Sequence, residues 1–423
     1  MKQQAAKGKI FYGWFIVAAG FLVIASCIGI VWNCNSLFIK PICAELGLSR
    51  QSVSVTQTIM SWAYMSVSLI FGWVCNKTDL RKVMMVAACV IGTAFFLFSK
   101  VQSLASLYVI TAVVSICYSF LTVLPFSLII SNWFYERRGT AIGLAFMGSG
   151  VGGMFFTFLA GKCMAAFGWR TTYQILAVLL LVIVVPCVFL IVRLRPEDMG
   201  LTPYGTPEEP TAEQLNYHSQ GVTCRQAAAK PLFWILCLGA MVMSACQNSI
   251  SLNIPPHLTD IGYSIEFATN VLALTMGGLA VGKLVLGWLY DKIGVRWATL
   301  LACIEMALGL VGMNCARFSP MAAVLIVVGG GMGTAFGSVT YPILTQTFYG
   351  MKDYSLIYGI TFAFNGFGGG IASPIINRMY DLTKTYVPSL TVMLILVLIC
   401  TVTYAIILRK TPDWKKESAE KQQ

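Results

Sequence analysis

Apolar positions in this 423-residue chain gather into twelve long runs, beginning near Phe11, Val55, Val83, Leu104, Gly139, Thr172, Leu232, Phe267, Trp297, Pro320, Ser355 and Val387. A helix needs about 20 apolar residues to cross the hydrocarbon of a bilayer, and each run offers a stretch of that kind. Six runs precede and six follow one polar segment, Arg193 to Lys230. The pattern predicts an all-α membrane protein of twelve transmembrane helices in two six-helix bundles. Their expected bounds are 1–192 and 231–410, with a cytoplasmic linker at 193–230 and a cytoplasmic tail at 411–423.

The halves repeat. Gly72-Trp73-Val74-Cys75-Asn76-Lys77 after the second run and Gly287-Trp288-Leu289-Tyr290-Asp291-Lys292 after the eighth stand 215 positions apart (287 − 72). Aligning Met147-Gly148-Ser149-Gly150 with Asn365-Gly366-Phe367-Gly368, an offset of 218 (366 − 148), carries the repeat through the fifth and eleventh helices. Two similar bundles placed side by side, with a cavity that either can open by rocking, is the architecture of a transporter.

Composition sharpens this picture. With 57% hydrophobic and 11% charged residues, the chain cannot present a mostly polar surface to water, so the bilayer is its solvent. A net charge of +12 is of the sign that nucleic-acid binding requires, but its distribution points to a membrane instead. With Met1 inside, 20 of the 29 Lys and Arg residues fall on the cytoplasmic side, including Lys77, Arg81, Lys82, Arg137, Arg138, Lys292, Arg296 and the basic tail. The positive-inside rule then puts both termini in the cytoplasm of a multi-pass cell-membrane protein, with the lipid bilayer as its surroundings and monomer as the expected state. The apolar run from Phe11 lacks a small-residue cleavage site and reads as the first helix rather than a removed signal. Fourteen cysteines contain no Cys-x-x-Cys pair, and most lie in apolar runs, so no disulfide framework, metal or other cofactor is expected.

The central segment, with Pro196, Pro203, Pro207, Pro210, Glu208, Glu209 and Glu213, has the composition of a solvated linker, and Thr223 to Lys230 predicts a short surface helix. Glycines gather inside spans, at 143, 148, 150, 152 and 153, at 359, 366, 368, 369 and 370, and as the four-residue series Gly329, Gly333, Gly337. Such spacing lets membrane helices approach closely. Gly148-x-Gly150-x-x-Gly153 matches a dinucleotide fingerprint only in letters, because no strand precedes it and a basic loop does. Gly277-x-x-x-x-Gly282-Lys283 lacks the Ser or Thr of a phosphate loop, having Leu284 there. No nucleophile elbow or zinc motif occurs, and the only histidines are His218 and His257, so an enzyme is not expected.

Lys283 is the one Lys or Arg placed well inside a span. Side chains on a helix lean toward its N-terminus, here the external side, which aims the ammonium at mid-membrane. An intramembrane charge usually faces a wet cavity or a partner, although a snorkelling lysine is the plainer alternative. Glu305 is the buried acid that could carry a coupling proton, or simply pair with a neighbouring helix. Uncharged candidates for substrate contact are Asn33, Asn35, Tyr64, Tyr118, Thr122, Gln247, Asn248, Tyr341 and Asn365, each also explicable as interhelical glue. Together they offer donors for a carboxylate-sized solute.

Gly287-x-x-x-Asp291-Lys292-x-Gly294-x-Arg296 resembles the loop signature of the major facilitator superfamily, and the hydropathy and repeat extend the resemblance over essentially the whole chain. It implies gating roles for Gly72, Arg81, Arg138, Gly287, Asp291, Lys292 and Arg296, although the first copy has Asn76 for the usual acid and Asp79 for the usual glycine. Asn132-Trp133-Phe134 with Arg137-Arg138-Gly139, Pro196-Glu197-Asp198-Met199-Gly200-Leu201 and Gly282-Lys283 leading into Gly287-Trp288 resemble the oxalate/formate antiporter and monocarboxylate transporter group. In that group a basic residue of helix 8 binds the substrate carboxylate, and Lys283 occupies the matching position. Dicarboxylate exchangers carry a second cation in helix 11, where Asn365 stands here. The resemblance therefore implies a small organic monoanion, moved by proton symport or exchange. An exporter of amphipathic or drug-like solutes and a non-transporting membrane receptor are the rival readings.

Overall fold

The computed structural model describes residues 11–48, 50–206 and 221–409. Expectations that fall on the N-terminal lysines, the middle of the central segment and the tail 411–423 lie outside these residues. The chain divides into two compact units, Met1–Glu208 and Glu209–Gln423.

In the first unit, α1 (Tyr12–Ser26) runs through a π-helical stretch, Cys27–Asn33, into α2 (Asn35–Leu46), which ends on Gly47 in the left-handed region, φ +64°. Then come α3 (Arg50–Lys77), α4 (Leu80–Leu97), α5 (Leu104–Ser119), α6 (Val123–Trp133) and the 49-residue α7 (Arg138–Pro186). Asp79 caps α4, and Ser103 with Ser106 forms a capping box on α5, satisfying orphan N–H groups. At about 1.5 Å per residue α7 is too long for one crossing, and it is interrupted at Gly168, whose φ of +75° only glycine adopts cheaply.

The second unit begins with α8 (Cys224–Ala228), the short helix expected between Thr223 and Lys230, capped reciprocally by Thr223 and Gln226. It continues with α9 (Pro231–Asp260), α10 (Ile265–Lys292), α11 (Gly294–Cys315), α12 (Ala322–Leu325), a π-helical stretch Ile326–Gly330, α13 (Gly331–Gly333), α14 (Phe336–Tyr349), α15 (Tyr354–Thr383) and α16 (Val387–Ile407). Among the described residues ten helical stretches are long and apolar enough to cross a membrane, the α7 run counted as one, and no strand longer than an isolated bridge occurs.

Glycine seams hold each unit together. In the first, α1 packs on the first half of α7: a methyl on Gly148 would run into the Phe21 carbonyl oxygen, and one on Gly152 into that of Ala25. In the second, α9 packs on α15 with Gly368 against the Met241 carbonyl oxygen. These crossings correct the alignment of the repeat there. Phe21 and Gly148 match Met241 and Gly368 at an offset of 220 (241 − 21, 368 − 148), not 218. A slip of two residues turns a helix by about 200°, so the shorter offset pairs opposite faces.

The central segment departs from the solvated linker its composition suggests. Trp133 Nε1 donates to the Arg193 carbonyl at 2.9 Å and Asn132 Nδ2 to that of Leu194 at 3.1 Å. Tyr204 N–H donates to Trp133 O at 2.8 Å, and the Tyr204 ring packs among Phe11, Trp14 and Phe134. In the second unit Val222 N–H donates to Tyr349 O at 2.9 Å, and Cys224 N–H to the Asp353 carboxylate at 2.8 Å. Both described ends of the segment are thus docked, each on the corner that follows α6 or α14 within its own unit.

Candidate functional site

The expected site residues fall into three groups. In the second unit, Lys283 lies in α10 with 7% of its surface exposed, a charge enclosed by the helix bundle. Gly282 beside it lets α13 approach: a methyl there would stand 2.7 Å from Met332 Cα. Elsewhere in the second unit, Gln247 of α9 and Asn365 of α15 meet at Gly337 of α14. A methyl built on Gly337 would lie 2.8 Å from Gln247 Oε1 and 3.4 Å from Asn365 Nδ2. Asn248 instead donates to Ser244 O at 3.0 Å along its own helix and packs on Gly369. Tyr341 is 1% exposed and its hydroxyl lies 3.5 Å from that of Tyr404, within the packing between α14 and α16.

Glu305 sits half-buried on α11, where its backbone is wedged against the π-helical stretch and α13: a methyl on Gly329 would approach its carbonyl oxygen to 2.6 Å. The tightness of this crossing accounts for the Gly329 and Gly333 series as packing.

In the first unit, the hydroxyls of Tyr64 and Tyr118 converge on Thr122, which is fully buried at the start of α6 and itself donates to Tyr118 O at 3.0 Å. The rings of Tyr64 and Tyr118 are 5.4 Å apart, and Trp32, which sequence reasoning passed over, stacks on Tyr118 at 6.1 Å and 20°. The chain turns at Phe120–Thr122 in mid-span, which is what brings a threonine hydroxyl between two tyrosines. Asn33 lies against Gly153, whereas Asn35 donates to Gln57 Oε1 at 3.1 Å and lines a cavity of about 20 Å³ with Phe38, Met60 and Tyr173. That is room for one water.

The residues expected to gate sit at the helix corners. Gly72 and Gly287 are buried, and Asp291 and Lys292 are exposed. Arg81 donates to the Phe189 carbonyl at 2.9 Å, Arg138 reaches back to Phe134 O at 3.0 and 2.7 Å, and the Arg296 guanidinium lies 5.1 Å from the centre of the Trp297 ring. Arg138 therefore closes the end of α6 by satisfying a terminal carbonyl. Tyr290, absent from the expected set, ties this corner in the second unit: its hydroxyl lies 2.9 Å from both Thr299 Oγ1 and Thr340 Oγ1.

An all-helical fold with a buried cation and tyrosine, threonine and amide groups inside apolar helices is that of a multi-pass membrane protein. The chain belongs to the Major Facilitator Superfamily, whose family model matches residues 21–373 and 236–423. The family comprises transporters rather than enzymes. The chain is similar to an uncharacterized MFS-type transporter, YhjX, of Escherichia coli (strain K12), with 24% identity over 371 residues, 84% of this chain and 85% of that one. It is similar also to monocarboxylate transporter 12 of Mus musculus, with 22% identity over 410 residues, 89% of this chain and 81% of the relative. Its fold matches the proton:xylose symporter XylE bound to 6-bromo-6-deoxy-D-glucose, TM-score 0.70 at 12% identity, covering 92% and 94% of the two chains. It likewise matches the transporter FucP in the outward conformation, TM-score 0.67 at 13% identity, covering 94% and 99%.

Proposed function

We propose that this chain is a secondary active transporter of small organic anions of monocarboxylate type, working by alternating access with proton symport or anion exchange. The observation that carries the reading is Lys283, a cation buried inside an apolar helix. Such a charge is costly in a membrane unless a solute or partner uses it. The similarity to monocarboxylate transporter 12 favours a carboxylate as that solute. In this reading α7 crosses twice, with its corner at Gly168, and α15 crosses once, which gives twelve crossings with both termini in the cytoplasm of a cell-membrane protein. Tyr64, Tyr118 and Thr122 supply hydroxyl contacts, Gln247 and Asn365 supply amides, and Glu305 has no obligatory part in coupling.

Uptake of radiolabelled lactate, formate and a hydrophobic dye into proteoliposomes tests it. The native protein moves the acids and not the dye. A charge-assisted hydrogen bond is worth about 1.5 to 3 kcal/mol, so Lys283→Gln weakens anion binding about tenfold to a hundredfold, while Glu305→Gln keeps most of the flux. If correctly inserted Lys283→Gln protein binds and moves the anions like the native one, the carboxylate assignment fails. The aromatic cluster of Trp32, Tyr64 and Tyr118 favours a second reading, export of amphipathic solutes, which dye flux without acid flux would establish.

A further inference from the structure

Of the 17 Asp and Glu residues in the chain, Glu305 is the one described in the middle of a span. It stands eleven residues from the start of α11 and ten from its end, about 17 and 15 Å. The other described acids lie in loops or in the first or last turn of a helix. The Glu305 carboxyl enters no hydrogen bond or ion pair among the described residues.

The packing of α11 explains why it finds no partner. At Glu305 and Met306 the backbone crosses the π-helical stretch and α13 at contact distance: a methyl on Gly329 would stand 2.6 Å from the Glu305 carbonyl oxygen, and one on Gly333 would run into the Met306 nitrogen. The segment that faces it there, Ala322 to Gly333, holds only Ala, Val, Leu, Ile, Met and Gly, so it offers no polar side chain. Around the half-buried glutamate, Ile304 and Leu308 of α11 and Val328 of the π-helical stretch are exposed, an aliphatic surface of the kind that lipid covers. Arg296, the one cation on α11, is nine residues away, about 14 Å. A carboxylate at this place would be an ion in hydrocarbon without a counter-charge, so the group holds its proton.

We propose that Glu305 is a modification site open to the bilayer, a carboxylic acid that adds an apolar, membrane-dissolved electrophile of the carbodiimide class. The acid's proton passes to one nitrogen of the carbodiimide while its oxygen bonds to the central carbon, giving an O-acylisourea. Where water is scarce, the remaining imine nitrogen then attacks the acyl carbon. The bond from that carbon to the bridging oxygen breaks, and the oxygen stays behind as the urea carbonyl of a stable N-acylurea. The sum is an addition: nothing leaves, and nothing is oxidised or reduced. Glu305 combines the two conditions this chemistry needs, a protonated acid and a surround that an apolar reagent enters and water does not. This holds whichever solute the chain moves.

The test treats proteoliposomes of the full chain with dicyclohexylcarbodiimide or with a water-soluble, cationic carbodiimide, and maps the adducts by mass spectrometry of the digested protein. The apolar reagent places an N-acylurea on the peptide that contains Glu305, and the cationic reagent leaves that peptide unmodified. Glu305→Gln loses the adduct. Because the adduct is located on native protein, the outcome stands whether or not the variant folds. A Glu305 peptide left unmodified by the apolar reagent overturns the site, since the carboxyl is then ionised or enclosed. Equal modification by both reagents overturns it as well, since the carboxyl is then bathed by water rather than lipid.

Discussion

The corner between α3 and α4 and the corner between α10 and α11 are copies 215 positions apart, yet they close by different means. In the first, Asp79 keeps an extended backbone, φ −72°, and its carboxylate accepts from Arg81 N–H at 3.0 Å. In the second, Gly294 stands at the matching position (79 + 215) with φ +80°, a conformation that the aspartate avoids. Cys75 of the first copy matches Tyr290 of the second (75 + 215), and only the tyrosine reaches across to Thr299 and Thr340. The polar cross-tie thus belongs to the unit whose helix α10 also carries Lys283, seven residues before it. The repeat thus kept the hairpin's place in the chain while its backbone and its bonding diverged, an aspartate cap in one copy and a left-handed glycine with a tyrosine cross-tie in the other.

The largest effects come from breaking what the halves share. Gly148→Leu in the first unit and Gly368→Leu in the second each drive a side chain into a backbone carbonyl, of Phe21 and Met241, on the helix packed against it. Overpacking of this kind costs about 3 kcal/mol or more. Neither variant is expected to purify as a monodisperse protein by size-exclusion chromatography. Gly161→Leu, at a position of α7 with nothing within 4 Å, behaves as native and serves as the control. Equal losses at 148 and 368, beside an unaffected 161, sharpen the assignment of the two seams as counterparts; a well-folded Gly368→Leu protein breaks it.

Tyr290→Phe acts on what the halves do not share. It deletes a fully enclosed hydroxyl bonded to two others, a loss of about 1 to 3 kcal/mol. The melting temperature of the purified protein falls measurably, whereas Cys75→Ala at the matching corner leaves it nearly unchanged. Similar shifts at both positions would show that the cross-tie contributes nothing particular to the second unit.

How much of this was legible in the sequence depends on which groups do the bonding. The spans were readable because hydropathy is a side-chain property summed over about 20 residues: the run expected from Leu232 begins at Pro231, that from Ser355 at Tyr354, and Val387 starts α16. Lys283 was readable for the same reason, as a charge inside a run. The docking of residues 193–206 was not, because the acceptors are the carbonyls of Arg193 and Leu194, which every sequence possesses. Gly337 was hidden in a regular four-residue series, because only the neighbours brought by the fold distinguish it, Gln247 and Asn365 beside Gly337 against the α11 backbone beside Gly329 and Gly333. Tyr341 read as a polar group available to a solute, but its hydroxyl faces Tyr404, 63 positions further along.

The smallest effect separates two further corners. In the first unit Arg170 donates to Glu45 at 2.8 Å and also to the carbonyls of Ser99 and Val101, while Trp169 Nε1 adds a second bond to the carboxylate. The corresponding tie in the second unit is uncharged, Tyr263 hydroxyl to Ala316 O at 2.8 Å. The hydrogen bond from Arg170 first, and that from Trp169 second, hold the Glu45 carboxyl below its ordinary range. A carboxyl whose folded value is depressed contributes stability above its unfolded value, about 4.3, and loses it as the pH falls through the folded one. Because Glu45 is exposed, solvent screening keeps the contribution small. Melting curves recorded between pH 7 and pH 3 should therefore show Glu45→Gln slightly less stable than native protein at neutrality and the two converging in acid, while any deficit of Tyr263→Phe stays constant with pH. A Glu45→Gln deficit that persists undiminished at pH 3 would mean that the carboxylate's charge has no part in the tie, and that the two corners are alike after all.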